Sequence, residues 1–186
     1  MQNNPTSLYS QTVNMQLQEL MDLQLRLQVD VSYVSHHGFL VRNGIGTCKS
    51  VLDVGTGNGD FCLRLARDHV DVKFTGIDFK KEMVETAQGL SQEQKIPNVT
   101  WLQGDVSNAA FLEGLGKFDG ILLRYSAIHM QALGEVIKSL AMKLNAGGHI
   151  WVVDVELDEM ISQPAHSAFD LYKTVTERFY NKYGLD

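Results

Sequence analysis

Five short apolar runs, separated by stretches with helical spacing, organise the chain from residue 50 onward. The runs are typical of strands and cover Val51–Val54, Val72–Ile77, Val99–Leu102, Gly120–Leu123 and His149–Val153. The clearest helical stripe between them is Leu133, Val136, Ile137, Leu140 and Leu144, and the segment Asn145–Gly148 predicts the end of that helix. Apolar strands that alternate with helices predict a doubly wound, mainly parallel α/β sheet with helices on both faces.

The segment before residue 38 gives two conflicting signals. Apolar residues alternate strictly, as in a strand, at Met21, Leu23, Leu25, Leu27, Val29, Val31 and Tyr33. Leu, Gln, Met, Arg and Glu dominate the segment, however, and no Gly or Pro occurs between Thr6 and His37, which favours a helix. We expect a helix that ends near Gly38. It would belong to an N-terminal helical cap at residues 1–48, before a main domain at residues 49–186.

The most informative segment is the turn after the first predicted strand, VLDVGTGNGDF at residues 51–61. Its glycines follow the spacing G-x-G-x-G, and Asp60 stands where a dinucleotide-binding fingerprint needs its third glycine. Glycine lets backbone N–H groups approach a ligand, and the helix that follows presents its positive end. The pattern therefore predicts a nucleoside ligand without a pyrophosphate and disfavours NAD.

The next two predicted strands each end near an acid. Asp78 closes the second strand, where a carboxylate can accept both hydroxyl hydrogens of a ribose. Asp105 follows the third strand, where a carboxylate and the next backbone N–H can bind the amino group and a ring nitrogen of adenine. A helix N-cap is the alternative role for Asp78, and a plain turn is the alternative for Asp105.

These segments occur together in the order and spacing of one family. The glycine loop, TGIDFKKEM, WLQGDV, FDGILL and LNAGGHIWVVD span about Ser50 to Asp154, and over this range the chain resembles the class I S-adenosylmethionine-dependent methyltransferases. The resemblance implies S-adenosylmethionine as cofactor, transfer of its methyl group by in-line displacement, and a Rossmann-like fold. It implies cofactor contacts by Asp53, Gly55, Thr56 and Gly57 along the methionine part, Asp78 at the ribose, Phe79, Asp105 and Val106 at the adenine, and Arg124 at the end of the fourth strand.

The residues after the fourth strand bear on the acceptor. Relatives that methylate amino groups of bases carry Asn/Asp-Pro-Pro-aromatic there, C5-cytosine enzymes carry Pro-Cys, and this chain has LRYSAIHM. The stretch AIHM resembles the apolar-His stretch of many small-molecule O- and N-methyltransferases. His129 is therefore a candidate general base, with packing under the cofactor loop as its alternative role. Tyr33, His36 and His37 could also reach the pocket, or lie at a solvated helix end.

Composition narrows the partners. The net charge is −6 and Lys and Arg form no stripe, which disfavours nucleic acid as a partner. Cys48 and Cys62 form no C-x-x-C pair and are expected to be free thiols in a reducing compartment. No apolar run has the length of a membrane span, and the polar start is no signal peptide, so we expect a cytoplasmic protein that acts on a small molecule.

Two alternatives stay open for the function. One is a non-catalytic S-adenosylmethionine-binding or regulatory module, or a truncated fragment without a complete acceptor site. The other is a Rossmann-type enzyme that uses a related nucleoside, such as an aminopropyl transferase or a dehydrogenase.

The sequence after Asp154 predicts a loop and one helix at about 165–183, and not the antiparallel strand pair that usually follows in this family. An uncovered edge strand at Ile150–Val153 would then favour a homodimer, or a partner subunit that covers the sheet edge.

Overall fold

The computed structural model describes residues 5–155 and residue 174. Its elements follow in the order α1 (Pro5–Arg42), a 3-10 turn (Ile45–Thr47), β1 (Ser50–Val54), α2 (Asp60–Asp68), β2 (Lys73–Asp78), α3 (Lys81–Glu93), β3 (Val99–Gln103), α4 (Ala109–Glu113), β4 (Phe118–Arg124), a second 3-10 turn (Ala127–His129), α5 (Leu133–Ala141) and β5 (Leu144–Val153). All five predicted strands are present, and α4, which begins after the Asn108 N-cap, is an element that the apolar pattern does not predict.

The strands form one parallel sheet in the order β3-β2-β1-β4-β5. Val54 at the end of β1 pairs with Ile77 of β2 on one side and with Leu123 of β4 on the other. From β1 the chain adds β2 and β3 on one side and then β4 and β5 on the other, so the order of the strands reverses between β1 and β4. Such a switch point leaves a crevice at the carboxyl ends of the strands. The doubly wound fold is confirmed, and its switch point lies at the predicted glycine loop.

The core has two layers, one on each face of the sheet. Successive residues of a strand point to opposite faces, so Val51 packs with α1, α2 and α3, while Leu52 packs with α4 and α5. Both cysteines are buried and free: Cys62 lies in the first layer with Cys48. None of the described helices is long and apolar enough to span a membrane.

The N-terminal segment is a helix, as expected, but it continues through Gly38 to Arg42. Its misleading alternation has a simple cause, because residues two apart on a helix differ by about 200° and fall on opposite faces. Leu25 and Val29 face the domain, whereas Leu27 and Val31 are exposed. The helix therefore has two apolar faces, and together they imitate a strand pattern.

The end of α5 differs from the prediction. The helix stops at Ala141, and Leu144 already pairs with Phe118 as the first residue of β5. The next paired position joins His149 to Gly120, so Asn145–Gly148 form a bulge in the strand rather than a helix stop. The Asn145 side chain donates to Asp119 at 2.7 Å and fixes this bulge against β4.

Within residues 5–155, β5 is an edge strand that pairs with β4. The predicted helix at about 165–183 and the expected absence of a further strand pair lie outside the described residues.

Candidate active site

A cavity of about 550 Å³ opens at the carboxyl ends of β1 to β4. Its volume is that of a typical small-molecule site. Its wall includes these predicted site residues: Gly55, Gly57, Asp78, Phe79, Asp105, Val106 and His129. The topology therefore brings together residues that are up to 74 positions apart in the sequence. This agrees with the prediction that the carboxyl ends of the strands lie side by side.

Two glycines of the loop are required by close packing. Gly55 has φ +71°, and a Cβ on it would lie 2.5 Å from Cβ of Ser126. Gly59 has φ +80°, and a Cβ on it would lie 2.6 Å from the indole ring of Trp101. The same indole covers Gly76 of β2. The loop therefore packs tightly against both the β4 side and the β3 side of the sheet, while Gly57 faces the cavity.

Asp78 connects the glycine loop to the end of β2. The buried carboxylate accepts a hydrogen bond from the Gly57 N–H at 2.9 Å through one oxygen and from the Lys80 N–H at 3.0 Å through the other. Lys80, and not Asp78, is the N-cap residue of α3, so the alternative of a helix N-cap does not describe Asp78. Each carboxylate oxygen has two lone pairs and can accept a further hydrogen bond from the cavity side.

The loop after β3 contributes one exposed acid and one buried apolar residue. Asp105 accepts from the backbone N–H and the hydroxyl of Ser107 at 2.8 and 2.7 Å, both through Oδ1. In the described part of the chain only this oxygen is engaged, which leaves Oδ2 for a ligand. Val106 is buried beside it, and the exposed Phe79 ring completes this end of the cavity.

Asp53 of β1 and Thr56 of the loop are not part of the cavity wall. Asp53 is buried and accepts a hydrogen bond from the Thr56 hydroxyl at 2.6 Å. Burial raises the pKa of Asp53 to about 6, although this hydrogen bond acts in the opposite direction. Burial and the neighbouring Asp53 also raise the pKa of the Cys62 thiol. The contact of Asp53 and Thr56 with a cofactor stays a prediction, and the geometry shows them shaping the loop.

Arg124 also lies off the cavity wall and turns toward α1. Its guanidinium donates to His36 Nδ1 at 3.2 Å and to the Ser32 hydroxyl at 2.9 Å. It also stacks on the rings of Phe61 and Tyr125, with its carbon 4.3 and 4.6 Å from the ring centroids. Arg124 thus fastens α1 to α2 and to the end of β4, and its predicted cofactor contact is untested.

The aromatic residues of α1 pack against α2 instead of lining the cavity. The Tyr33 hydroxyl donates to Asp68, and His37 Nε2 lies 3.0 Å from His69 Nε2. The suggestion that Tyr33, His36 and His37 reach the pocket is not supported by the cavity wall. Leu25, which the sequence did not single out, lies on that wall, and among the described side chains of α1 no other does.

The loop after β4 supplies the predicted His129 and two cavity residues that sequence reasoning missed, Tyr125 and Ser126. Tyr125 has φ +52°, an uncommon conformation for a bulky residue, and lines the cavity. Ser126 donates its hydroxyl hydrogen to the Val54 carbonyl at 2.8 Å. His129 follows in the second 3-10 turn, exposed at the cavity, and the Asp154 carboxylate holds this turn through the Ile128 N–H at 3.0 Å. Their place directly after a parallel strand was the available signal.

Known proteins share this fold. The family model described as "Methyltransferase domain" matches residues 47–182. YcgJ of Bacillus subtilis, described as an uncharacterized methyltransferase, is 34% identical over 104 residues, which are 56% of this chain and 40% of that protein. Its crystal structure has a TM-score of 0.55 to this chain at 30% identity and covers 64% of this chain and 50% of that one.

Two further relatives carry more specific descriptions. The ubiquinone biosynthesis O-methyltransferase of Proteus mirabilis is 35% identical over 103 residues, 55% of this chain and 40% of that protein. PKMT2 from Rickettsia typhi, solved in complex with AdoHcy, has a TM-score of 0.51 at 25% identity and covers 56% of this chain and 20% of that one.

The chain spans about 40% of the length of the two curated relatives. The family model, by contrast, covers well over half of this chain. The chain therefore belongs to the methyltransferase-domain family, and the resemblance to class I S-adenosylmethionine-dependent methyltransferases is confirmed.

Proposed function

We propose that the chain binds S-adenosylmethionine and transfers its methyl group to an oxygen or nitrogen atom of a small-molecule acceptor. The observation that carries the proposal is the meeting of the glycine loop with two acidic strand ends, Asp78 and Asp105, around one cavity of about 550 Å³. PKMT2, which shares the fold, was solved with AdoHcy, the demethylated form of this methyl donor.

The cavity wall fits a nucleoside. The Asp78 carboxylate is held by two backbone N–H groups and keeps lone pairs for ribose hydroxyls. In this proposal Oδ2 of Asp105 accepts from an exocyclic amino group, and the Val106 N–H donates to a ring nitrogen. Phe79 and Met83 give apolar walls for a purine ring. When bound, S-adenosylmethionine supplies an electrophilic methyl group on a sulfonium whose leaving sulfide is neutral.

The neutral leaving group decides what the protein must contribute. No anion develops on the donor, so the main task is to align the acceptor with the methyl group and exclude water. Leu25 of α1 and Tyr125 after β4 belong to this wall, and Arg124 holds both elements together. We assign this closing role to the cap at residues 1–48 and the cofactor site to the domain at residues 49–186.

A hydroxyl acceptor needs a base, and His129 is the candidate. Its imidazole lies at the cavity, and a ring nitrogen would take the acceptor's proton as the oxygen–methyl bond forms and the sulfur–methyl bond breaks. An amine with a free lone pair attacks without prior loss of a proton. The apolar residues Leu25, Met130 and Val136 on the remaining wall favour an aromatic or otherwise apolar acceptor.

Calorimetric titration tests the cofactor. We expect binding of S-adenosylmethionine and S-adenosylhomocysteine and none of NAD. NAD binding, or absence of binding by the first two, would contradict the proposal. A screen with radiolabelled methyl donor over small phenols and amines then tests transfer, and binding without any transfer would favour the alternative of a non-catalytic binding module.

We also propose a compartment for the protein and a surface for a partner. Both cysteines are free and buried, which supports a reducing compartment such as the cytoplasm. Within the described residues β5 pairs only with β4, which supports its other edge as a contact for a second copy or a partner subunit.

A further inference from the structure

Helix α1 has an apolar face that points away from the domain. On the domain side, Val29 and Leu40 are almost completely buried. On the opposite side lie large apolar side chains with high exposed fractions, and five of them follow one line along the helix, with Leu23 (52%) beside it: Leu20 (61%), Leu27 (54%), Val31 (86%), Val34 (82%) and Val41 (50%). We call these five residues, together with Gln24 and Gly38 between them, the outer stripe. Such a contiguous apolar surface marks an interaction site.

The spacing of the outer stripe identifies the kind of interaction. Its steps alternate between four and three residues along Leu20, Gln24, Leu27, Val31, Val34, Gly38 and Val41. In the sequence the same steps lead back to Leu17 and Val13. A repeat that averages 3.5 residues is the seam of a coiled coil, and it predicts a partner helix that runs beside α1.

The outer stripe is available without any change in the domain. The residues that face the domain, such as Leu25, Val29 and Ser32, occupy the side of the helix opposite to the seam. Arg64 binds Asp30 of α1, and Arg124 binds Ser32. These contacts attach the helix to the domain through residues that are not part of the seam. From Leu20 to Val41 the seam is about 33 Å long, or about three heptads.

The residue types along the seam select a second copy of this chain as the occupant. In heptad terms Leu20, Leu27, Val34 and Val41 stand at d, and Gln24, Val31 and Gly38 stand at a. Within the seam, the two Leu residues at d together with Val31 at a are the combination that favours two parallel helices. Gln24 is the single polar side chain of the seam, and its amide is its own complement, because an NH₂ on one copy can donate to the carbonyl of the other. That pairing requires parallel helices in register. We propose that this chain forms a parallel homodimer through the outer stripe of α1.

The oligomeric state tests the proposal directly. Light scattering of the full chain should give the mass of a dimer, and the double variant Val31→Glu/Val34→Glu should give a monomer with unchanged circular dichroism. Val70→Glu is the control, because Val70 is also largely exposed (71%) but lies after α2. It should remain a dimer. A monomeric wild type, or a dimer that survives the double substitution, would overturn the proposal, and the latter would favour the β5 edge.

Cross-linking tests the register and does not depend on the charged variants folding. Gln24→Cys should give a covalent dimer on oxidation, since facing a positions lie within disulfide distance. Arg26→Cys, also at an exposed position but off the seam, should not, and the native cysteines are buried. Equal cross-linking of both variants, or none of Gln24→Cys, would count against the parallel seam. Neither measurement involves S-adenosylmethionine, so failure of the proposed function would leave them unaffected.

Discussion

Ser126 occupies the place that a side chain on Gly55 would need. Its Cβ lies 2.5 Å from the position of a Cβ on Gly55, and its hydroxyl donates to the carbonyl of Val54 at 2.8 Å. The loops after β1 and β4 are therefore in direct contact at the switch point of the sheet. The first glycine of the loop is required both by its own φ of +71° and by this neighbour.

Gly55→Ala should damage the site and the fold together. The added methyl group would push Ser126 away and strain the backbone, so we expect a loss of about 1–3 kcal/mol in unfolding free energy and at least about tenfold weaker S-adenosylmethionine binding. Denaturant unfolding and calorimetry measure these effects. Gly89→Ala in α3 is the control: nothing lies within 4 Å of its Cβ position, so a gain of about 0.5–1 kcal/mol is expected. Equal effects of the two substitutions would contradict the argument.

Asp78→Asn should weaken cofactor binding. The carboxylate accepts from Gly57 and Lys80 at the same time, whereas an amide has one oxygen and would turn its NH₂ toward the other N–H. We expect at least about tenfold weaker binding of S-adenosylmethionine in calorimetry, by analogy with the cost of one lost charge-assisted hydrogen bond. Asp71→Asn, at an exposed position before β2, should bind like the wild type. An unchanged dissociation constant for Asp78→Asn would argue against this carboxylate as the ribose contact.

Asp53 should make stability depend on pH in an unusual direction. Its pKa in the folded protein is raised to about 6, above the value of about 3.9 in an unfolded chain. The folded state then binds more protons than the unfolded state between these two values, so unfolding free energy falls as pH rises through this window. Relative to Asp53→Asn, the wild type should lose on the order of 2–3 kcal/mol between pH 4 and pH 6.5. Denaturant unfolding at several pH values in this range measures the loss. If the unfolding free energies of the wild type and of Asp53→Asn changed equally with pH, the prediction would be contradicted.

Asp119 provides a control of opposite sign. Hydrogen bonds from the Asn145 side chain and the Lys49 N–H lower the pKa of its carboxyl group. Its contribution to stability is therefore present above the unfolded pKa and is lost as pH falls through the lower folded pKa. Asp119→Asn should be less stable than the wild type at pH 7, and the difference should shrink in acid. If the difference in unfolding free energy between the two proteins grew in acid, the pKa of Asp119 would have to be raised rather than lowered by folding.

The substitution His129→Gln distinguishes two roles of His129, that of a general base and that of a residue that only shapes the cavity wall. If the imidazole takes the proton of a hydroxyl acceptor, kcat for that acceptor should fall by about 10²–10⁴. Transfer to an amine that reacts as a free base should change little, and S-adenosylmethionine should bind within about twofold of the wild type. Rates for the two acceptor types decide the matter, because an equal fall in both would indicate a positioning role.

The sequence was sufficient to predict the sheet and the part of the cavity that the glycine loop and the ends of β2 and β3 form. Parallel strands place their carboxyl ends at one edge, so an acid at Asp78 and another at Asp105 had to meet the glycine loop. Val54, Ile77 and Leu123 have the continuous apolar surroundings of a doubly covered sheet, and these patterns depend on local sequence alone.

The unpredicted features depend on contacts between distant segments. Arg124 ends a strand in the same way as Asp78, but its side chain binds Ser32, 92 residues earlier, and no local pattern indicates that direction. Gly147 resembles a helix stop, yet Asp119 on the neighbouring strand draws this segment into the β5 bulge. Leu25 reaches the cavity only because α1 crosses the loop, and that crossing is fixed by packing against α2.

The indole of Trp101, packed on Gly59 and Gly76, gives the chain an optical probe beneath its own ligand loop. The other tryptophan, Trp151, donates from Nε1 to the carbonyl of Asn43 at 3.2 Å, just after α1. The intrinsic fluorescence of the chain is thus divided between the loop and the end of the long helix. Replacing either indole by phenylalanine would leave an emission signal from the other region alone, so that events at the loop and at the helix can be timed separately without an added dye.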